Sequence, residues 1–429
     1  MLRLLLLFPF QVAGAAPASA APPAPTVTLE DAVGAALTNH PDATVAAAQT
    51  DIADAQVRQA RAPLLPEVGL TGRYDYAWSD SLADDAPEAS GDDSYGATLS
   101  GSLLLWDFGR SRNRWRSATA AFEAAKGDAD GTRQAIVLEA RLAYFDALET
   151  RALIQVARES LGNQESHLAQ TEEFVRTGTR AEIDLARLRT AVAQARAALI
   201  RAENDHRMAK ARLNRAMGVR GSIDYEVAPP PLPPLGDEQH ATAELYASAV
   251  GHRPERTSQL AAIRGQEAGV RAARAWFLPS LRLGADAGYT GQDWGEPTIS
   301  TSVGVSLNWT LFDGLASPAA ADAARAQLVV EQARLTGVEQ QVWQEIEQAR
   351  IAVSSARAEL ESAELAISSA RELLRLAEER YAAGVGNSLE LADAQLELTN
   401  AAAGRVRVEY DAAAARAQLL RALGRRDWR

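Results

Sequence analysis

The sequence predicts a mainly α-helical chain with a small β part, in which one structural unit occurs twice. Three observations carry that expectation. Landmark dipeptides recur at constant offsets, two regions alternate in polarity with a period of two, and apolar residues elsewhere step by four and three over long stretches. Composition agrees. The 429 residues are 47% hydrophobic and 23% charged, with a mean hydropathy of −0.19, which suits a folded, water-compatible chain rather than disorder or a polytopic helical membrane protein. Aromatics make up only 6%, and alanine occurs in runs, so long helices packed through small side chains are expected. A net charge of −12 and a pI near 5.1 argue against nucleic-acid binding. With no cysteine, disulfides, thiolate metal sites, cysteine nucleophiles and lipid-bearing cysteines are all closed off.

Residues 1–20 read as a signal peptide. Arg3 precedes an apolar stretch from Leu4 to Ala15, and Ala18-Ser19-Ala20 supplies the small residues expected before cleavage. Pro9 and Gln11 interrupt the stretch, which argues against a retained anchor, and no later window is long and apolar enough for a spanning helix. The first unit then occupies residues 21–226, a proline-rich linker 227–240, and the second unit 241–429.

The duplication rests on spacing. His40-Pro41 and Arg253-Pro254 stand 213 residues apart, as do Leu65-Pro66 and Leu278-Pro279. Asp107 and Asp313, Gly178 and Gly384, and Gly218 and Gly424 are each separated by 206. The offset changes once, by a loop seven residues longer in the first copy, between Pro66 and Asp107. Each copy reads helix, two strands, very long helix, turn, helix.

Strands follow each Leu-Pro. Val68, Leu70, Tyr74, Tyr76 and Trp78 alternate with Gly69, Thr71, Arg73 and Asp75, and a second run alternates from Ile299 to Leu311. The loop of the first pair is acidic, with Asp80, Asp84, Asp85, Glu88, Asp92 and Asp93. Alternation alone also fits an ordinary half-buried hairpin. Tryptophan placement favours another use: of eight tryptophans, Trp78, Trp106, Trp294 and Trp309 fall at or near strand ends, where a membrane barrel places aromatics at its water interfaces. Lipid leaves no water for unpaired edges, and four strands are too few to close a barrel, so other copies of the chain must complete it.

The long helices carry heptads. From Val342 the apolar positions run through Ile346, Ala349, Val353, Ala356, Leu360, Ala363, Ile367, Ala370, Leu374 and Ala377 to Tyr381, large residues alternating with alanine. Ser317-Pro318 predicts the start of this helix, roughly 96 Å long if it ends at Tyr381. The return helix is expected to bury Leu389, Ala392, Leu396, Thr399, Ala403, Val406, Tyr410, Ala413, Ala417 and Leu420. A plain coiled-coil spacer shows the same rhythm.

Together these features resemble the TolC-type outer membrane efflux protein family, over nearly the whole mature chain. The resemblance rests on Leu29-Glu30-Asp31-Ala32 leading to Asn39-His40-Pro41, on Leu65-Pro66 and Leu278-Pro279 before strands, and on Leu105-Trp106-Asp107-Phe108-Gly109 and Leu311-Phe312-Asp313-Gly314 after them. It rests also on the turns Thr177-Gly178 to Asp184-Leu185 and Tyr381-Ala382-Ala383-Gly384 to Glu390-Leu391. The resemblance implies a homotrimer: a twelve-stranded outer membrane β-barrel continued by a periplasmic α-barrel. It implies partners as well, namely a periplasmic adaptor protein and an inner-membrane pump of RND, ABC or MFS type, with outer membrane lipid around the strands. The expected function is an exit duct for efflux or type I secretion; a periplasmic adaptor or tether without a pore is the alternative.

No catalytic set emerges. The five histidines are scattered without metal-ligand spacing, no phosphate-binding glycine loop occurs, and no enzyme activity or cofactor is expected. Asn308-Trp309-Thr310 matches a glycosylation sequon but falls inside a predicted strand. The candidate residues are carboxylates at the helical turns. Asp184, Glu390 and Asp393 open the return helices, where capping boxes Asn387–Glu390 and Thr179–Glu182 would explain several of them. The resemblance implies a second role, a periplasmic gate of Glu390, Asp393, Asp184 and Tyr381, with adaptor-docking turns at Gly178, Gly384, Leu185 and Leu391. An arginine that the family uses in the closed mouth corresponds here to Gly386, and Arg180 is the candidate replacement.

Overall fold

A computed structural model describes residues 25–79, 90–231, 234–236, 238–292 and 298–425. The expected signal peptide, Trp294, and Asp80, Asp84, Asp85 and Glu88 of the acidic loop lie outside the described residues. In chain order the elements are β1 (Thr26–Val27), α1 (Leu29–Asn39), α2 (Pro41–Arg61), β2 (Glu67–Ser79), β3 (Ser90–Trp106), α3 (Arg110–Arg176) and α4 (Glu182–Ala216). They continue as β4 (Glu226–Val227), α5 (Thr242–Ala249), α6 (Pro254–Arg274), β5 (Ser280–Gln292), β6 (Thr298–Asn308), α7 (Ala316–Ala382) and α8 (Ser388–Ala422).

Element lengths match in pairs: α2 and α6 have 21 residues each, α3 and α7 have 67, and α4 and α8 have 35. At 1.5 Å per residue the two long helices are about 100 Å long. Near the sheet the helices run side by side as α2, α3, α6, α7; farther away the order is α4, α3, α8, α7. Among the described residues no helix is long and apolar enough to cross a membrane.

The heptad in α7 is where the sequence placed it, with Val342, Ile346, Ala349, Val353, Ala356, Ala370, Leu374, Ala377 and Tyr381 all buried. The helix begins at Ala316, so Pro318 sits in its first turn, where a missing N–H costs nothing. Two expectations need correction. Leu389 and Leu396 of α8 are 58% exposed, and the buried register there is Leu391, Ala394 and Gln395. The reason is that α8 packs against both α7 and α3, so its buried surface is split between two seams instead of following one stripe. The last strand is also shorter than expected: β6 ends at Asn308, and Trp309 to Leu311 lie beyond it.

The four long strands form one antiparallel sheet in the order β2-β3-β5-β6. Pairings such as Leu70 with Leu99, Leu99 with Ala287 and Ala287 with Thr301 put one parity of every strand on a common face. Val68, Leu70, Tyr74, Tyr76, Val303, Val305 and Leu307 on that face are exposed. Thr71, Arg73 and Asp75 of β2, with Arg282, Asp286, Ser302 and Ser306 of β5 and β6, occupy the opposite parity. Strand passes to long helix through a tight reversal. Asp107 accepts the backbone N–H of Gly109 (3.1 Å) and Ser111 (2.7 Å), and Asp313 accepts that of Ser317 (2.9 Å).

Midway along the helices β1 and β4 pair in parallel against α3. Tyr144 of α3 is fully buried and donates to the Ala228 carbonyl at 2.5 Å, and burial pushes its phenol up to about 12.

Candidate functional site

Two turns end the molecule opposite the sheet. Gly178 closes α3 with φ +76° and Gly384 closes α7 with φ +77°, a left-handed conformation that a side chain disfavours. Thr179 N–H donates to the Phe174 carbonyl at 2.8 Å and Val385 N–H to that of Arg380 at 3.1 Å, so both helices end in the same wrapped fashion.

The two turns are tied together. Tyr381 is buried, and its hydroxyl lies 3.0 Å from that of Thr171 on α3. The Phe174 ring meets Tyr381 edge-on at 6.4 Å. Arg180 lays its guanidinium over the Tyr381 ring, 4.4 Å from the centroid, and donates to the carbonyls of Tyr381 and Gly386, both at 3.2 Å. Ser388 completes the link by donating to Asp184 at 2.5 Å.

Gly386 explains why Arg180 acts here. A Cβ on Gly386 would lie 3.0 Å from the backbone of Arg380 and Tyr381, tighter than an ordinary contact, so a side chain there would require this turn to shift by a few tenths of an ångström. Arg180 stands 206 residues earlier, the offset that relates the two turns, and its guanidinium reaches the carbonyl of its own counterpart.

The carboxylates divide. Asp184 is half-buried and held by Ser388, whereas Glu390 pairs with Arg380 at 2.9 Å and Asp393 is exposed. Asn387 does cap Glu390 N–H (2.7 Å), but with the Glu390 carboxylate on Arg380 only half of the expected box forms. The Thr179–Glu182 box does not form: α4 is capped by Ala181 without a side-chain bond, because Thr179 is used in closing α3 and its hydroxyl meets Thr177 at 2.9 Å.

Of the expected docking residues, Leu391 is buried beside Leu374, Ala377 and Tyr381, and Leu185 is half-buried. The exposed apolar side chains of this end are Ile183, Val385 and Leu389. Sequence reasoning also passed over Thr171, Arg380 and Ser388. The ten-residue spacing of Arg380 and Glu390 across a tight turn is the signal that could have found that pair. One turn back from Thr171, His167 keeps its Nε2 3.6 Å from Glu378, and burial lowers its pKa. At the other end Trp78, Trp106 and Trp309 are all exposed, and Trp309 donates its indole N–H to the Phe277 carbonyl at 3.1 Å.

A sheet with one exposed apolar face, set at the end of a long helical wall whose far turns are cross-tied, defines a membrane protein with a large helical extension. The chain belongs to the outer membrane efflux protein family, whose profile matches residues 32–219 and 245–425. It is an efflux protein of the outer membrane. Among its relatives, the probable efflux pump outer membrane protein TtgC of Pseudomonas putida is 26% identical over 403 residues, covering 92% of this chain and 82% of TtgC. Protein CyaE of Bordetella pertussis is 28% identical over 405 residues, covering 90% and 83%. A solved membrane protein from Pseudomonas aeruginosa has the same fold, with a TM-score of 0.81 at 24% identity, covering 92% of this chain and 93% of that one.

Proposed function

We propose that the chain is one third of a homotrimeric exit duct that completes an export route built by an inner-membrane pump and a periplasmic adaptor. One observation carries the reading: the sheet has an exposed apolar face and two open edges, β2 and β6. Such edges are costly in lipid, where unpaired N–H and C=O groups find no water. Three copies, each joining its β6 to the next chain's β2, would close a twelve-stranded barrel with Thr71, Arg73, Asp75 and Ser306 lining the interior. Trp78 would then mark one membrane interface and Trp106 and Trp309 the other, with Trp294 expected beside Trp78.

The helical wall would continue as a tunnel, and the equal lengths of α3 and α7 support two copies of one unit on either side of the linker 227–240. Tyr381 and Asp184, tied by Thr171, Arg180 and Ser388, together with Glu390 and Asp393, would form the gate. Gly178 and Gly384 shape the adaptor-docking turns, with Leu185 and Leu391 behind the exposed Ile183, Val385 and Leu389. The duct makes and breaks no bonds; RND, ABC and MFS pumps all fit as energy source.

The test is the molar mass, by light scattering, of the full chain solubilised from outer membranes. Three chain masses are expected, and a monomer would overturn the reading.

A further inference from the structure

Besides Arg114, six exposed arginines crowd the junction of helices and sheet. Arg58 and Arg61 end α2, Arg112 and Arg116 lie in the first two turns of α3, and Arg271 and Arg274 end α6. In a chain of net charge −12 this is a local excess. Among the described residues, only Arg58 of the six has a carboxylate partner, Asp54.

Helix dipoles account for part of the pattern. Cations are favoured at helix C-termini, where Arg58, Arg61, Arg271 and Arg274 stand. Arg112 has the opposite placement: it lies in the first turn of a helix that opens without an acidic residue, so the dipole works against it, and Arg116 stands one turn further on, where the dipole gives it no support. The helix itself therefore gives neither charge a partner.

Register shows where they face. Gly265 of α6 turns toward Ala120 and Ser117 of α3, while Gln259 and Gln266 reach Glu331 and Ala324 of α7. At 100° per residue the short arc between these two seams carries Gly269 and Ala273, which line a groove together with Arg114, Ser117 and Ala121 of α3. The wall is therefore concave on the groove side. Arg271 lies on the far side of α6 from Gly269, and Arg112 and Arg116 lie about half a turn around α3 from the groove. These arginines occupy the convex surface. Next to them the apolar face of the sheet begins, with Trp106 and Trp309 exposed at its foot.

We infer that this convex arginine band binds the anionic headgroups of phospholipids in the leaflet at the foot of the sheet. The inference rests on the membrane-spanning reading of the strands. Guanidinium matches a phosphate diester with paired N–H donors, and an indole beside it suits the boundary between acyl chain and headgroup. Arginines left without carboxylates in the protein would find their partners in the lipid.

The test uses the full chain in phosphatidylcholine bilayers doped with either phosphatidylglycerol or phosphatidylcholine carrying brominated acyl chains, which quench nearby tryptophans. The expected result is preference for phosphatidylglycerol by at least about fivefold, the contribution of a single arginine beside an anionic surface. The variant with Arg112, Arg116, Arg271 and Arg274 each changed to Gln should lose the preference, and the corresponding Lys variant should keep most of it. All four side chains are exposed, so the Gln variant should fold. Equal quenching by the two lipids, or a preference the Gln variant retains, overturns the band alone. No quenching by either lipid overturns the membrane reading of the sheet and the inference with it.

Discussion

Tyr381 and Thr171, separated by 210 residues in sequence, share a hydroxyl–hydroxyl hydrogen bond of 3.0 Å across the seam between α7 and α3, with both side chains buried. Changing Tyr381 to Phe strands the Thr171 hydroxyl without its partner, at a cost of about 1–3 kcal/mol. Changing Thr171 to Val at the same time removes both polar groups and should restore most of the loss. Denaturant titrations of the two single variants and the double variant check this; simple additivity would mean that the pair is not coupled.

Ion selectivity should follow Asp393 more than Glu390. Both carboxylates would appear three times around the mouth of a trimer, but Glu390 already pairs with Arg380, whereas Asp393 is exposed. Asp393→Asn is therefore expected to weaken cation preference and block by multivalent cations more than Glu390→Gln does. Reversal potentials in a salt gradient decide it. Unchanged selectivity in both, with a lower melting temperature for Glu390→Gln, would leave Glu390 a structural role only.

Stability should fall on mild acidification. Burial lowers the pKa of His167 and of His206, with Lys210 adding to the shift at His206. A lowered pKa means that the unfolded chain takes up protons first, so stability is complete above the unfolded value near 6.5 and declines as pH falls toward the folded value. Partial burial pushes the Glu149 carboxyl up, which acts with the opposite sign, so the difference between wild type and variant is the useful quantity. Between about pH 7.5 and 5, His167→Gln should lose less melting temperature than wild type. Parallel curves would show that His167 does not contribute.

The two sheet faces should respond differently to charge. Val305 is exposed on the apolar face and Ser306 has the opposite parity. Arginine at Val305 should cost roughly 2–4 kcal/mol if it lies near the bilayer midplane, and arginine at Ser306 much less. Assembly into outer membranes measures both, and equal loss would mean that the faces are misassigned.

Much of the fold was legible because period and spacing are local properties. The stepping of Val342 to Tyr381 holds, with nine positions buried and Leu360, Ala363 and Ile367 half-buried, and the alternation from Val68 to Trp78 marks the apolar face of the sheet. Reading α8 by the same rule failed at Leu389 and Leu396, since a helix with two neighbours buries two stripes and sequence periodicity registers their average. The site was less legible. Glu390 and Asp184 are equivalent in sequence yet bond differently: Arg380 reaches Glu390 across its own turn, whereas Ser388 comes to Asp184 from the other turn, a neighbour given only in three dimensions. The role of Arg180 opposite Gly386 became plain once the crowding at Gly386 was visible.

We propose that this chain forms a conduit held narrow at its helical end by Tyr381 and Arg180. Planar-bilayer conductance of the purified full chain tests it most directly. The wild type should give discrete channels of low conductance, and the variant combining Tyr381→Phe with Arg180→Gln should give channels of several-fold higher conductance. Absence of any channel in the wild type, or identical conductance in the two, would contradict it.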